Sequence, residues 1–308
     1  MRGEGGARLR WRDLPPHVRD GVGDVLGSPV VRADSQAGGF SPGSADRVVT
    51  ATGRRAFVKA VGPEPNAHSP QLHRREGRVS AGLPPSLPVP RLLGTVDDGG
   101  WVALVLEEVD GHQPALPWRP ADVAAVLDAL AALAAGATPC PVPDLPAAAD
   151  ALREDFAGFD RLAADGVRLP ALGELRGLAR RGVASLGGDT LAHADLRADN
   201  VLLTAGGAVL VDWPHACRGP VWLDALLLLV EVERYGGHDV DALLATSPTT
   251  RDADPGELTA VLAGLAAYFL DGARRPAPPG LPTLREFQRV QGEALLAWVR
   301  RRAGLAAG

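Results

Sequence analysis

Lysine is almost missing from this chain. Of its 32 basic residues, 31 are arginine and one, Lys59, is lysine. On a solvated surface the two are interchangeable, but a compact ammonium on a flexible stem fits between a phosphate and a carboxylate where the wide guanidinium fork does not. Lys59 follows the apolar run Ala56-Phe57-Val58 and is the first candidate site residue. Cysteine is scarce as well. Cys140 and Cys217 stand far apart without a CxxC spacing, which argues against a disulfide framework or a zinc site and fits a reducing compartment. Apolar runs are short: residues 223–230 and 258–270 fall below the length of a membrane span. Residues 1–5 lack the apolar stretch of a signal peptide. A cytoplasmic location without membrane contact is expected. An excess of basic charge is also lacking. The formal net charge of −5 argues against a nucleic-acid surface and points toward a neutral or cationic small-molecule partner.

What is present describes a globular protein of 308 residues, 46% hydrophobic and 22% charged, long enough for one large or two medium cores. Two lobes are expected, and no internal repeat is visible. Residues 14–26 predict a short helix opened by Asp13, with two prolines in its first turn. Residues 30–34, 46–50 and 55–61 predict the strands of an antiparallel meander. A helix carrying Leu72, Glu76 and Val79 follows, and a hairpin over 92–96 and 101–107 turns across Asp97-Asp98-Gly99-Gly100. From Val123 onward apolar residues recur at helical spacing. Two interruptions break that pattern: an apolar turn at Leu191-Ala192-His193, and a hairpin over 201–203 and 209–211. The proline-rich stretch 139–146 predicts an exposed connector.

The chemistry lies in those interruptions. His193-Ala194-Asp195-Leu196-Arg197-Ala198-Asp199-Asn200 precedes the hairpin, and Asp212-Trp213 follows it. This is the spacing of a phosphoryl-transfer loop. One carboxylate accepts the proton of an attacking hydroxyl, while an amide oxygen and a second carboxylate hold Mg²⁺ on the nucleotide phosphates. Asp195 is the candidate base, and Asn200 and Asp212 are the candidate metal ligands. Asparagine is nearly as scarce as lysine, occurring only at Asn66 and Asn200, so its presence at this offset carries weight. His193 joins Asp195 in the catalytic set as a brace that fixes the loop rather than as a base. Asp199, one residue out of register, caps a turn or faces the substrate.

The pattern HxDxxxxN, a hairpin, then DWxxAxxGPxxxD resembles the aminoglycoside phosphotransferase family. It is carried here by His193, Asp195, Asn200, Asp212, Trp213, Ala216, Gly219, Pro220 and Asp224. The resemblance implies an α+β, bilobal, protein-kinase-like fold. Residues 1–108 would form a small antiparallel-β, nucleotide-binding lobe with one helix, and 109–308 a larger, mainly α-helical catalytic lobe. It implies ATP or GTP with Mg²⁺ as cofactors. Lys59 would contact the nucleotide phosphates and pair with Glu76, 17 residues on. Gly38 and Gly39 would lie in the phosphate-covering loop, backbone groups of Glu107 and Val109 would meet the adenine, and Asp224 would hold the catalytic loop.

Protein kinases carry Arg after the loop His, where this chain has Ala194, and only 11 residues separate Asp212 from Asp224. That leaves no room for a regulatory loop or a peptide platform. The expected acceptor is therefore a hydroxyl of a small molecule. The resemblance suggests an aminoglycoside or another cationic antibiotic, hence a role in resistance; a hydroxylated metabolite of the choline, homoserine or sugar type is the alternative. A binding-only pseudokinase would normally have lost one of the key positions, and all are present. The protein would act as a monomer or homodimer. Glu231, Glu233, Asp239, Asp241, Asp155 and Asp160 are the acidic candidates for a cationic acceptor, with Glu286, Gln291, Glu293 and Trp298 as a possible wall.

Overall fold

Alternation along one strand sets the architecture. In the sequence Arg55–Val61, Ala56, Val58 and Ala60 are buried on one face while Phe57 and Lys59 point to the other, as the two-residue period of a strand requires. The computed structural model describes residues 9–36, 43–64, 69–278 and 282–306. Within them β1 (Val30–Ser35), β2 (Ser44–Thr50), β3 (Arg55–Val61), β4 (Leu92–Asp97) and β5 (Val102–Leu106) form an antiparallel sheet in the order β1-β2-β3-β5-β4. Helix α1 (Pro16–Leu26) closes one face, burying Val18, Val22 and Leu26 against Val48, Val58 and Val105. Asp13 does not cap it. Asp13 ends a separate 3-10 turn, Trp11–Asp13, and accepts from its own Arg10 N–H at 2.9 Å, and Pro15 stands at the cap position.

The opposite face carries α2 (Ser69–Ala81), which lies on the same side as Lys59. Glu76 and Val79 are buried, whereas Leu72 is exposed. Gly77 lets the helix come close: a Cβ there would stand 2.9 Å from Leu104. The chain leaves this lobe through residues 107–119. Glu108, 5% exposed in its side chain, takes Arg55 at 2.6 Å and Arg47 at 3.2 Å. His112 then exchanges two backbone hydrogen bonds with Leu203 of the second lobe.

The second lobe is mainly helical: α3 (Pro120–Gly136), α4 (Ala148–Phe156), α5 (Gly158–Ala164), α6 (Leu172–Ala184), α7 (Leu223–Tyr235), α8 (Val240–Thr246), α9 (Pro255–Ala273) and α10 (Leu284–Ala303). Two small ribbons sit among them, β6 (Thr190–Ala192) with β9 (Cys217–Gly219), and β7 (Val201–Thr204) with β8 (Gly207–Leu210). The stretch 139–146 is no exposed connector. Val142 and Leu145 are buried in the main core, and Pro146 accepts the Arg218 N–H beside β9. The expected acceptor wall also dissolves: Trp298 and Gln291 are buried, while Glu286 and Glu293 flank Arg289 on the surface.

Helix α9 is the central packing element, and small residues bring its neighbours to it. An ideal Cβ on Gly182 of α6 would lie 2.5 Å from the Ala260 carbonyl oxygen of α9 and 2.8 Å from its carbon. Gly182→Ala gains ~1 kcal/mol of helix propensity, but overpacking against an immovable backbone costs ~1–3 kcal/mol. A net loss of stability, seen as a lower urea midpoint with unchanged slope, is the expected outcome.

Candidate active site

Lys59 reaches across the gap between the lobes. Its Nζ donates to Glu76 at 2.7 Å within the sheet lobe and to Asp212 at 2.9 Å in the helical lobe. Its side chain is 15% exposed and that of Glu76 is 3%. Burial alone would depress the ammonium, but two carboxylates in contact raise it above its ordinary value. Burial would likewise raise Asp212, yet the adjacent Lys59 holds its carboxyl down at about 2. Arg75, next to Glu76, donates to the Ala216 carbonyl at 2.8 Å, a second tie between α2 and the helical lobe.

The catalytic-loop candidates are held from behind by α7. The Asp224 carboxylate accepts the backbone N–H groups of His193 at 2.7 Å and Ala194 at 2.9 Å. Seven residues on, and so on the same helix face, Glu231 accepts the Ala198 N–H at 2.8 Å. The two acids grip the loop on either side of Asp195. His193 is fully buried, its Nε2 lies 2.9 Å from the Val211 carbonyl, and Asp195 N–H donates to its Nδ1 at 3.3 Å. That pairing fixes the Nε2–H tautomer and leaves neither ring nitrogen for an acceptor. Its ring packs at 4.6 Å on Trp213.

Two of the four non-glycine residues with positive φ among the described residues lie here. Ala194 and Asp212 adopt φ of 62° and 72°, a region that costs side-chain-bearing residues about 1–3 kcal/mol. The Asp224 hydrogen bonds on either side of the 193–194 peptide are what hold Ala194 there. Asn200 donates its amide to the Asp195 carbonyl at 2.7 Å and carboxylate at 3.2 Å, and its backbone carbonyl accepts from Val211, next to Asp212, at 2.9 Å.

The remaining expected residues divide. Glu107 spends its N–H on the Arg91 carbonyl at 2.9 Å and its side chain on the Arg91 guanidinium, so its carbonyl is what it can offer a base. Val109 follows two residues later on the same connecting segment. Gly38 and Gly39 lie outside the described residues. Two roles escape the sequence: Glu231, expected as an acceptor-side acid, holds the loop, for which its i+7 relation to Asp224 was the available signal, and Arg197 forks onto Asp199 at 2.7 and 3.0 Å. A cavity of about 510 Å³ between α4, α5 and α6 is lined by Asp160 of the expected acids but by none of Lys59, Glu76, Asp195, Asn200 and Asp212.

A profile of the phosphotransferase enzyme family matches residues 39–275. The chain belongs to that family. This phosphotransferase has no sequence match among curated proteins. Solved structures share its kinase-like fold. The aminoglycoside phosphotransferase APH(4)-Ia, as a ternary complex with AMP-PNP and hygromycin B, aligns with a TM-score of 0.62 at 15% identity over 93% of this chain and 99% of that one. A putative fructosamine-3-kinase from Haemophilus somnus gives 0.58 at 12% over 90% and 96%, and spectinomycin phosphotransferase APH(9)-Ia with ADP and spectinomycin gives 0.57 at 12% over 88% and 94%. Among the described residues no helix of the phosphotransferase is long and apolar enough to cross a membrane.

Burial pushes the Glu231 carboxyl up to about 7, against the pull of the Ala198 N–H and nearby Arg197. The carboxyl thus ionises near 4.5 in the unfolded chain and near 7 in the folded one, so unfolding releases a proton between those values. Stability falls as pH rises through that window, by up to about 3 kcal/mol from this group. Glu231→Gln keeps an oxygen for the Ala198 N–H, and denaturation at pH 5 and pH 8 should show this loss in the parent and not in the variant.

Proposed function

We propose that this enzyme transfers the γ-phosphoryl group of ATP to a hydroxyl of a small molecule. The observation that carries the reading is the Lys59 ammonium held between Glu76 of one lobe and Asp212 of the other. An ammonium so placed orients nucleotide phosphates at the lobe boundary, which we put between residues 108 and 109. The Glu107 carbonyl and the Val109 N–H suit the two edges of an adenine. Asp195 is the base: its carboxylate takes the proton of the acceptor hydroxyl as the new O–P bond forms and the bond from the γ-phosphorus to the β-bridging oxygen breaks, leaving ADP. His193, Asp224 and Glu231 position that loop and do not touch the reacting atoms.

The donor set suits Mg²⁺. Asn200 uses its amide nitrogen on Asp195, so its side-chain oxygen remains as a hard ligand, and Asp212 keeps one carboxylate oxygen beyond the one on Lys59. Two protein oxygens completed by phosphates and water is the arrangement this ion favours. Bound there, Mg²⁺ would neutralise charge on the phosphates.

A small acceptor is favoured by what fills the span from Asp212 to Asp224. Trp213, Ala216, Cys217 and Trp222 are buried in it and β9 crosses it, which leaves only His215, Arg218 and Val221 exposed, a narrow surface for a peptide. The cationic-antibiotic version needs free carboxylates, and few remain. Glu231 holds Ala198, Glu233 pairs with Arg301, Asp239 caps α8, Asp241 meets Trp298 and Arg302, and Asp160 takes Arg176 and Arg180. A cytoplasmic location is consistent with two unpaired cysteines.

Three measurements test this reading. An ATP-consumption screen over aminoglycosides, macrolides and hydroxylated metabolites should find an acceptor, and chelation of Mg²⁺ should abolish turnover on it. Asp195→Asn should lower kcat by about 10²–10⁴-fold with the KM for ATP nearly unchanged; retained turnover removes Asp195 from the base role. Lys59→Arg should impair turnover and weaken ATP binding in calorimetry, because a guanidinium does not fit between carboxylates 2.7 and 2.9 Å from one nitrogen.

A further inference from the structure

Five of the six acidic candidates are engaged by hydrogen bonds or ion pairs, and one guanidinium is not. Arg234, in the last turn of α7, is half-buried with its guanidinium carbon 4.7 Å from the centre of the Phe287 ring and 5.0 Å from that of Tyr235. No carboxylate or carbonyl among the described residues pairs with it. Arg197, two residues after Asp195, lies over the same Phe287 ring at 5.9 Å. One ring thus links the catalytic loop to Arg234. Phe269 continues the wall 6.2 Å from Phe287, and Tyr268 stands 4.9 Å from Phe269, itself 37% exposed. Burial, with Asp155 and Asp195 adding to it, pushes the Tyr268 hydroxyl above its ordinary value.

Stacking on aromatic faces holds a guanidinium in place while leaving its N–H edge unspent. That edge matches the two oxygens of a carboxylate or phosphate. Of the six acidic candidates, Asp155 alone has a carboxylate with neither an ion pair nor a hydrogen bond among the described residues, and burial pushes it up against the pull of nearby Arg161. We propose that the acceptor, within the small-molecule kinase reading on which this rests, is a hydroxylated compound bearing an anionic group. Its body lies along Phe287, its carboxylate or phosphate meets Arg234, and its hydroxyl faces Asp195.

The test uses matched compounds on one skeleton, glucuronate, glucose and glucosamine, and glycerate, glycerol and 2-aminopropane-1,3-diol, with every acceptor the screen finds. Binding is measured by calorimetry on the full chain with Mg²⁺ and AMP-PNP bound. The anionic member should bind about tenfold or more tightly than its neutral and cationic partners. Arg234→Gln should erase that preference and leave the neutral member and AMP-PNP unchanged, Arg234→Lys should keep part of it, and Asp155→Asn should have no effect. A cationic member binding best, an equal loss for all three in Arg234→Gln, or no binding by any anionic member overturns the proposal. Mg²⁺-dependent AMP-PNP binding and its loss in Lys59→Arg report separately on the kinase reading.

Discussion

A buried ammonium needs more than one partner. Taking a charge out of water costs several kcal/mol per ion, and a single carboxylate repays this only with good geometry and further hydrogen bonds. Lys59 obtains its two carboxylates from opposite lobes, Glu76 on α2 and Asp212 after β8. Neither lobe alone could keep it where it is. The rest of the site follows from that constraint: β3 must present position 59 on the face away from α1, α2 must approach closely enough for Gly77 to matter, and the chain after β8 must bend sharply at Asp212, with its positive φ, to turn its carboxylate back toward the sheet.

The helical lobe supplies the other fixed reference. Its loop carries a strained Ala194 and a histidine whose ring nitrogens are both committed to backbone, and α7 restrains it with acids two turns apart. Stabilising a loop by hydrogen bonds from buried carboxylates is costly in desolvation, as the upward shifts of Asp224 and Glu231 show. The return is a fixed loop in which Asp195 is held further by His193 and Asn200. Such preorganisation is what the proposed proton transfer from a bound hydroxyl would require.

Much of this was legible in the sequence because it is local. The strands β2, β3 and β5 alternate or run apolar, and β3 was read with its observed bounds. His193, Asp195, Asn200 and Asp212 sit within one loop and hairpin, so spacing alone exposed them, and Lys59 stood out by being the single lysine. What escaped depends on distant pairing. β9 is three residues with an arginine in the middle and exists only because β6 pairs with it. The prolines around Val142 suggested solvent, but their apolar neighbours dock into the core. Glu231 read as one acid among several, since its value lies in meeting an N–H 33 residues earlier. The wall around Phe287 assembles from α7, α9, α10 and the loop, and no sequence period encodes it.

The spacing of Asp224 and Glu231 has a consequence for how this scaffold can change. Seven residues of helix rise about 10.5 Å, a ruler that thermal motion scarcely stretches. Arg197 and Asp199, which pair with each other, lie between its marks, so changes there need not displace Asp195, the proposed base. On the proposed reading, acceptor preference would change at positions 197 and 234 while the loop stays in register.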